Sequence, residues 1–416
     1  MAGGARKKPG SEAKALNAAS LSLPPSAAAR LGLAKGAKLE LRVHRGGIEV
    51  LPDIHSLARV YIEPTTRCNL ACRTCVQRNW GEPAGDMGRG TFDKVLAGLK
   101  GFPHLSSAML GGFGEPTVHP DIVRMVSGLK SLGIETEMVS NGTLLDRRLS
   151  AALEKAGLGR LWVSFDGADT GNYEGVREGG KFRTVLENVQ LLAAGGKVKI
   201  GLAFVATRRN IGDLPRLGGL AREAGADRVS VSNVIPYTAA MEKQMACSQA
   251  LSLGTMASVE GRVGIDLPRL DVSLETREAL MKLLGGCENI SLMGSPLAAP
   301  AAECRFVRER CAFVRWDGAV APCMALLHSH EIHFRGGVRR NKAHAFGDLS
   351  REGFLKIWRS RGYRDFREKV AAFDFSPCHI CGGCGYAESN AEDCGGGRHP
   401  ASCGGCLWGR GIIQCP

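Results

Sequence analysis

The sequence predicts an α/β protein: a partial, open (β/α)6 barrel, with a small β-hairpin module before it and a cysteine-rich extension after it. Three observations predict this fold. Apolar strands alternate with amphipathic helices between residues 59 and 235, two short alternating runs flank a glycine turn near residue 46, and ten of the 15 cysteines lie between residues 304 and 415. Strict alternation of strands and helices favours parallel strands joined by right-handed crossovers.

The predicted domains follow one another along the chain. Residues 1–22 are predicted to be disordered, 23–55 to form the hairpin module, 58–240 the barrel, 241–303 a helical connector and 304–416 a domain held together by metal. The hairpin strands are predicted at 38–44 and 48–51. The barrel strands are predicted at 59–64, 107–110, 134–139, 160–165, 198–205 and 228–235, and the helices at 92–100, 121–132, 149–156, 182–194 and 211–224. Chemistry in such folds lies on the loops after the strands.

Composition excludes several classes of protein. Of the 416 residues, 44% are apolar and 23% charged, which is typical of a globular chain, and no apolar run is long enough to predict a membrane-spanning helix. The net charge of +13 is spread along the chain, so we expect a solvated basic surface and neither a nucleic-acid nor a membrane partner. The N-terminus lacks the apolar core of a secretory signal, so the expected location is the cytoplasm.

The loop after the first barrel strand carries Cys68, Cys72 and Cys75. In a reducing compartment, closely spaced cysteines indicate a metal or redox site. Three thiolates can bind three irons of a cubane cluster, which usually takes four cysteines, so one iron would stay open for a substrate. The alternative is a structural zinc or cluster site with a distant fourth ligand.

This three-cysteine loop resembles the signature of the radical S-adenosylmethionine (radical SAM) superfamily. The resemblance implies one catalytic [4Fe–4S] cluster on Cys68, Cys72 and Cys75, with S-adenosylmethionine chelating the open iron. It further implies reductive cleavage to methionine and a 5′-deoxyadenosyl radical, which takes a hydrogen from the substrate. An electron donor such as a ferredoxin or a flavodoxin would then be a partner.

Further motifs lie at the ends of the later strands. The run from Gly111 to Pro116 (GGFGEP) is similar to the family motif that contacts the cofactor's amino group, and the run from Ser140 to Thr143 (SNGT) to the ribose-side loop. Val234 begins a stretch that resembles the adenine wall, whereas Thr74 replaces the aromatic residue that usually precedes the third cysteine. The resemblance therefore implies cofactor contacts at Gly111, Gly112, Gly114, Glu115, Ser140, Asn141, Ser164 and Arg177.

The late cysteines form a second constellation, which is similar to the SPASM extension of radical SAM enzymes and implies two auxiliary [4Fe–4S] clusters. By that pattern Cys304, Cys311 and Cys323 bind the first cluster with a later cysteine, and a predicted turn at 316–318 brings Cys311 and Cys323 together. Cys378, Cys381 and Cys384 bind the second. The roles of Cys384, Cys394, Cys403, Cys406 and Cys415 stay open, and zinc is the alternative to iron.

Three histidines and two acidic residues complete the set of notable polar side chains. His328, His330 and His333 are predicted to lie on a solvated loop. Glu63 and Asp166 sit at predicted strand ends, where each is either a proton acceptor or a structural hydrogen-bond partner of a loop.

The particular residues within these motifs suggest a substrate class. Residues 61–75, 389–394 and 403–416 look like the maturases that accompany tungsten-containing aldehyde:ferredoxin oxidoreductases, which implies a protein or protein-bound cofactor as substrate. One alternative is a SPASM enzyme that cross-links a peptide through thioether or carbon–carbon bonds, or forms formylglycine. The other is a redox-sensing regulator, because the N-terminal hairpin resembles the DNA-binding AbrB type.

Overall fold

The computed structural model describes residues 39–44, 47–246, 264–284, 289–292, 304–334, 336–373, 375, 388–392, 403–409 and 411–414. The chain divides into two compact units, residues 1–52 and 53–416. In the first unit, strand β1 (Leu39–His44) pairs antiparallel with β2 (Gly47–Pro52), in the region where the sequence predicts a hairpin. The predicted disorder of residues 1–22 falls outside the described residues, and the AbrB-like character of the hairpin stays a prediction.

Six parallel strands form the centre of the second unit, as predicted. They are β3 (Arg59–Ile62), β4 (Ser107–Leu110), β5 (Glu135–Ser140), β6 (Leu158–Ser164), β7 (Lys199–Ala206) and β8 (Arg228–Asn233). Each strand pairs in parallel with the next one along the chain. All six carboxyl ends therefore open on one edge, and the loops that follow them meet there.

Helices cross between these strands and cover the sheet. They are α1 (Arg89–Leu99), α2 (Ile122–Ser131), α3 (Arg147–Ala156), α4 (Thr170–Val176), α5 (Phe182–Ala194) and α6 (Leu217–Glu223). Local sequence fixes their ends: in α3, Asp146 accepts the Leu149 N–H at 2.7 Å, and Gly157 adopts the left-handed φ of 93° that ends the helix. The predicted helix 211–224 begins instead as a 3-10 helix, Ile211–Arg216, which contains Pro215.

The predicted helical connector, residues 241–303, requires correction. After the short helix α7 (Ala239–Glu242), strands β9 (Gly264–Leu267) and β10 (Asn289–Leu292) extend the sheet in parallel beyond β8, with helix α8 (Leu274–Leu284) between them. Each strand is only four residues long, and an apolar run that short cannot be assigned to strand or helix by its period. Burial of Ile265 and Leu267 in the core decides the assignment.

The other edge of the sheet comes from the cysteine-rich part of the chain. After helix α9 (Arg305–Arg308), strand β11 (Cys311–Val314) pairs in parallel with β3, followed by antiparallel β12 (Ala319–Ala321). Strands β13 (His330–Phe334) and β14 (Gly337–Asn341) form a separate hairpin, and β15 (Gly347–Asp348) pairs with β12. Helices α10 (Phe354–Arg359) and α11 (Arg361–Ala372) follow.

Residues 304–373 therefore contain far more apolar core than the sequence suggested. All four residues of β11 are buried, and Phe354, Ile357, Trp358 and Tyr363 of α10 and α11 join the main core. Apolar packing therefore contributes to the stability of this part of the extension, in addition to the metal that the sequence predicts for its cysteines. Across the described part of the chain, no helix has both the length and the hydropathy that crossing a bilayer requires.

Candidate active site at the carboxyl ends of the strands

The cysteine loop lies at the carboxyl end of β3. Its backbone is held against the end of α4 and the residues just after it: the Ala71 N–H donates to the Glu178 carbonyl at 3.0 Å, and the Arg73 N–H donates to the Val176 carbonyl at 2.9 Å. These bonds fix the loop across the mouth of the barrel. Helix α4, which the sequence analysis missed, therefore positions the cysteines.

Cys68, Cys72 and Cys75 are all half-buried and share one electrostatic environment. Burial raises the pKa of each thiol, to about 11 for Cys72, whereas the nearby Arg177 guanidinium acts in the opposite direction on all three. The thiols also influence one another, since the charges of Cys68 and Cys75 both raise the pKa of Cys72.

A group of three thiols beside one cation fits an iron–sulfur cluster, because thiolate is the usual cluster ligand and the cation favours the thiolate form. Among the described residues, no three Cys, His, Asp or Glu side chains converge as the ligands of a single metal ion would.

The glycine-rich loop after β4 packs closely on the cysteine loop. A side chain at Gly114 would come within 2.8 Å of the Arg67 carbonyl oxygen, and one at Gly112 within 2.6 Å of the Glu63 side chain. Gly111, by contrast, has ordinary contact distances to Val139. Only glycine therefore allows the loop to approach this closely at positions 112 and 114.

Glu115 connects the ends of β4 and β5. Its buried carboxylate accepts hydrogen bonds from the Thr117 N–H at 3.0 Å, the Ser140 hydroxyl at 2.8 Å and the Asn141 N–H at 2.6 Å. The side chains of Glu115 and Ser140 are thus used within the protein, and both support the shape of the loops.

Asn141 brings the end of β5 to the cysteines. Its side-chain amide donates to the Asn69 side-chain oxygen at 2.9 Å and lies 3.9 Å from the Cys68 sulfur. Asn69 in turn donates to the Thr143 hydroxyl at 2.8 Å. The structure therefore places two motifs that are more than 70 residues apart in direct contact.

Ser164 ends β6, and Arg177 follows α4. The Arg177 Nε lies 2.9 Å from the Asp166 Oδ2, so the two buried side chains form an ion pair. Burial opposes the charge of Arg177, yet Asp166 and Cys72 outweigh burial and raise its pKa. Asp166 also accepts the Val205 N–H at 2.9 Å. These contacts favour the structural interpretation of Asp166 over the proton-acceptor interpretation.

A cavity of about 410 Å³ opens beside the cysteine loop. It lies between that loop, α4, the ends of β7 and β8, and α7. Thr74 and Val234, the two positions that the sequence analysis connected with adenine, both line it.

The largest departure from the sequence analysis is a buried Glu–His–Glu cluster. The solvated-loop prediction is wrong for His328 and His330, which are buried. His328 Nε2 lies 2.8 Å from the Glu63 Oε2, and its Nδ1 contacts the Glu82 carboxylate. Trp80 and Phe113 pack on the imidazole ring. We call Glu63, His328 and Glu82 the His328 cluster.

The His328 cluster joins three parts of the site. Glu63 follows β3 and accepts the Phe113 N–H of the glycine-rich loop at 3.1 Å. Glu82 lies after the cysteine loop and accepts the Ser329 N–H at 2.8 Å. His328 lies 265 positions after Glu63, so no sequence spacing could predict the contact.

The His328 cluster predicts a pH-dependent stability. Burial lowers the pKa of His328, but Glu63 and Glu82 outweigh it and raise the pKa above 6.5; neighbouring His330 and Arg315 also face the cluster. Burial raises the pKa of Glu82, but His328 lowers it below 4.5. The imidazolium of His328 should therefore stabilise the fold below about pH 6.5, and this stabilisation should decrease as the pH rises through the folded pKa of His328. The carboxylate of Glu82 should stabilise the fold above about pH 4.5.

This dependence can be measured as the free energy of unfolding of the parent and of Glu82→Gln between pH 5 and 9. The difference between them should be largest near pH 6 and shrink at alkaline pH. A difference that stays constant over this range would contradict the assigned charge of His328.

The model of the radical SAM superfamily matches residues 62–214, and the SPASM iron–sulfur cluster-binding domain matches residues 304–385. The chain carries a radical SAM domain followed by a SPASM domain. It is therefore a radical SAM enzyme, and its cofactors are S-adenosylmethionine and iron–sulfur clusters.

Relatives of this radical SAM enzyme have more specific names. It is 27% identical to the tungsten-containing aldehyde ferredoxin oxidoreductase cofactor-modifying protein of Pyrococcus furiosus over 371 residues, or 86% of this chain and 96% of that protein. It is 32% identical to the PqqA peptide cyclase of Gluconobacter oxydans over 178 residues, or 42% of this chain and 49% of that protein. Streptococcus suis SuiB bound to its precursor peptide SuiA shares the fold, with a TM-score of 0.54, 17% identity, and 80% and 72% of the two chains covered.

Proposed function

We propose that this radical SAM enzyme acts in the maturation of a tungsten-containing aldehyde:ferredoxin oxidoreductase, on the tungsten–pterin cofactor or on the protein that holds it. The extent of the alignment carries the proposal. The cofactor-modifying protein of Pyrococcus furiosus aligns over 86% of this chain, which is more than the barrel alone can account for. The PqqA peptide cyclase aligns over less than half of either chain.

The catalytic [4Fe–4S] cluster is assigned to Cys68, Cys72 and Cys75. The position of all three thiols on one loop at the barrel mouth supports this assignment. Three thiolates bind three of the four irons, so the fourth iron is left for S-adenosylmethionine. When bound, the two cofactors supply a 5′-deoxyadenosyl radical that takes hydrogen from the substrate, and a ferredoxin or flavodoxin is the proposed electron donor.

The chain's own residues would hold the nucleotide. Arg177 places a largely buried guanidinium beside the three thiols, and such a planar cation suits the carboxylate of S-adenosylmethionine. Asn141 and Ser164 stand at neighbouring strand ends, and the backbone of Gly111, Gly112 and Gly114 is the proposed contact of the amino group. Glu115 and Ser140 act by holding these loops in place.

One auxiliary [4Fe–4S] cluster is assigned to Cys304, Cys311, Cys323 and Cys406. The register of the β11–β12 hairpin, continued by two residues, puts Cys323 opposite Cys311. Burial raises the pKa of Cys323, and the neighbouring charges of Cys406 and Cys304 raise it further. Burial likewise raises the pKa of Cys311, to which Cys304 adds. This proximity supports Cys406 as the late cysteine that the sequence analysis left open.

A second auxiliary cluster remains a proposal from the sequence. Cys378, Cys381, Cys384, Cys394 and Cys415 lie outside the described residues, and Cys403 is buried.

The first auxiliary cluster can be tested by counting iron. Anaerobically reconstituted protein should carry about twelve irons per chain, and the double variant Cys323→Ala/Cys406→Ala should carry about four fewer. Cys287→Ala is the matched control, because Cys287 stands apart from both groups of cysteines in the sequence, and it should keep the full content. Full iron content in the double variant would contradict the assignment.

The proposed substrate can be tested by co-expression. A tungsten-containing aldehyde:ferredoxin oxidoreductase produced with this chain should carry a pterin cofactor or peptide of altered mass. The same enzyme produced with the Cys68→Ala/Cys72→Ala/Cys75→Ala variant should not. Identical masses in both preparations would contradict the proposal.

A peptide-modifying maturase is the second candidate. The SuiB fold, seen with a bound precursor peptide, and the identity with PqqA peptide cyclase favour it. Under this alternative the oxidoreductase would be unchanged, and a short precursor peptide co-expressed with this chain would change in mass. The regulator hypothesis is not retained, because the chain carries an enzyme's domain.

A further inference from the structure

The cavity beside the cysteine loop has an excess of positive charge. Arg73, Arg78 and Arg209 line it, and none of its described lining residues is acidic. Just outside, Glu178 pairs with Arg73 at 2.8 Å and with Arg78 at 2.6 Å. Three guanidinium groups and one carboxylate leave two positive charges without a counter-charge.

Of the three arginines, Arg209 is the one whose guanidinium is most available to bind a ligand. It is exposed, and within the described residues it has neither an ion pair nor a hydrogen bond. Its guanidinium lies over Gly175 of α4: a Cβ at that position would overlap the Nη2 and come within 2.9 Å of the Cζ. The absence of a side chain at Gly175 therefore provides the space in which Arg209 reaches the cavity.

The rest of the lining suits a ligand with an apolar body. Val176, Val234 and Met241 provide apolar wall, and Asn79, Thr207, Thr238 and Gln244 provide hydrogen-bonding groups. A volume of about 410 Å³ is within the range of small-molecule sites. An apolar wall with a few polar groups at a charged rim is the usual composition of such sites.

We propose that the Arg73, Arg78 and Arg209 rim of this cavity binds a phosphate group of the small-molecule substrate. A phosphate monoester carries a charge of about −1.5 to −2 at neutral pH, which matches the two uncompensated guanidinium charges, whereas a carboxylate supplies only one. Guanidinium also forms paired hydrogen bonds with phosphate oxygens. The inference rests on the proposed function, because it takes the barrel mouth as the place where the substrate is held.

The test uses phenyl phosphate as the probe and anaerobically reconstituted, full-length protein loaded with S-adenosylmethionine. Calorimetry should detect binding of phenyl phosphate, and weaker binding of benzoate, which has the same ring with a single charge. Arg209→Gln should weaken phenyl phosphate binding about ten- to hundredfold, as expected for loss of a charge-assisted hydrogen bond. Gly175→Ala should weaken it in the same direction, because the new methyl group displaces the guanidinium.

Arg183→Gln is the matched control. Arg183 is an exposed arginine of α5, with a distant ion pair to Glu223 at 4.0 Å, and it does not line the cavity. This variant should bind phenyl phosphate as the parent does. Iron content and the thermal midpoint establish that each variant is folded.

The proposal would be overturned by the absence of phenyl phosphate binding, by unchanged binding in Arg209→Gln, or by tighter binding of benzoate. Competition between phenyl phosphate and S-adenosylmethionine would also overturn it, because the arginines would then belong to the nucleotide site. Failure of the proposed function is distinguishable. If the proposed function fails, a co-expressed aldehyde:ferredoxin oxidoreductase stays unmodified, but the binding of phenyl phosphate measured by calorimetry is unchanged.

Discussion

Replacing Cys68, Cys72 and Cys75 together by alanine is expected to abolish the formation of 5′-deoxyadenosine from S-adenosylmethionine. The three thiols are the only proposed ligands of the catalytic cluster, so their loss removes both the electron carrier and the iron that positions the nucleotide. The variant should also lose about four of about twelve irons, because the cysteines of the extension remain. The measurements are chromatographic detection of deoxyadenosine after chemical reduction, and iron analysis.

The fold should survive this triple substitution. The thiols are half-buried on a loop, and the loop is held by backbone bonds to residues 176 and 178 that alanine retains. Cys247→Ala provides the control, because Cys247 belongs to neither group of cysteines in the sequence, and it should form deoxyadenosine at the parent rate. Continued cleavage by the triple variant would show that the catalytic cluster is elsewhere.

Replacing His328 by alanine is expected to give the largest loss of stability of any single substitution in the site. The change leaves Glu63, whose side chain is fully buried, without a counter-charge. Removal of one partner from a buried ion pair costs about 3–5 kcal/mol. It also removes the ring on which Trp80 and Phe113 pack. The measurement is the free energy of unfolding by denaturant near pH 6.

Two further variants separate charge from packing. His333→Ala, in strand β13 shortly after His328 in the sequence, removes an imidazole that is only half-buried, and it should cost much less stability. The double variant Glu63→Gln/His328→Gln removes both buried charges and should recover part of the loss, because an uncharged pair avoids the desolvation of a lone carboxylate. If His328→Ala and His333→Ala were equally stable, the His328 cluster would not contribute to the fold.

Features encoded over short distances in the sequence were predictable. The six barrel strands follow from runs of apolar residues between helices, and their order follows because each strand pairs with its neighbour in the chain. The cysteine loop was found for the same reason, since its three thiols lie within eight residues. The hairpin β11–β12 was found from the turn at Gly318, whose φ of 97° favours glycine.

Features that depend on distant parts of the chain were not predictable. Strands β9 and β10 are too short to show a period, and they are defined by burial and by the pairing of β9 with β8 and of β10 with β9. The hydrogen bonds from the end of β5 to the Glu115 carboxylate were likewise not predictable from the motif that contains Glu115. His328 looked solvated because the residues that follow it, Ser329, His330 and Glu331, are polar.

The sequence by itself determined the parallel barrel, the triad of thiols and the class of chemistry, because each depends on the identity and spacing of residues that are close along the chain. Tertiary structure decided which charges are buried together, which late cysteine lies near Cys323 and where a cavity opens. Burial and electrostatic pairing depend on distances in space, and those between Glu63 and His328, or Cys323 and Cys406, are set only when the whole sheet has formed.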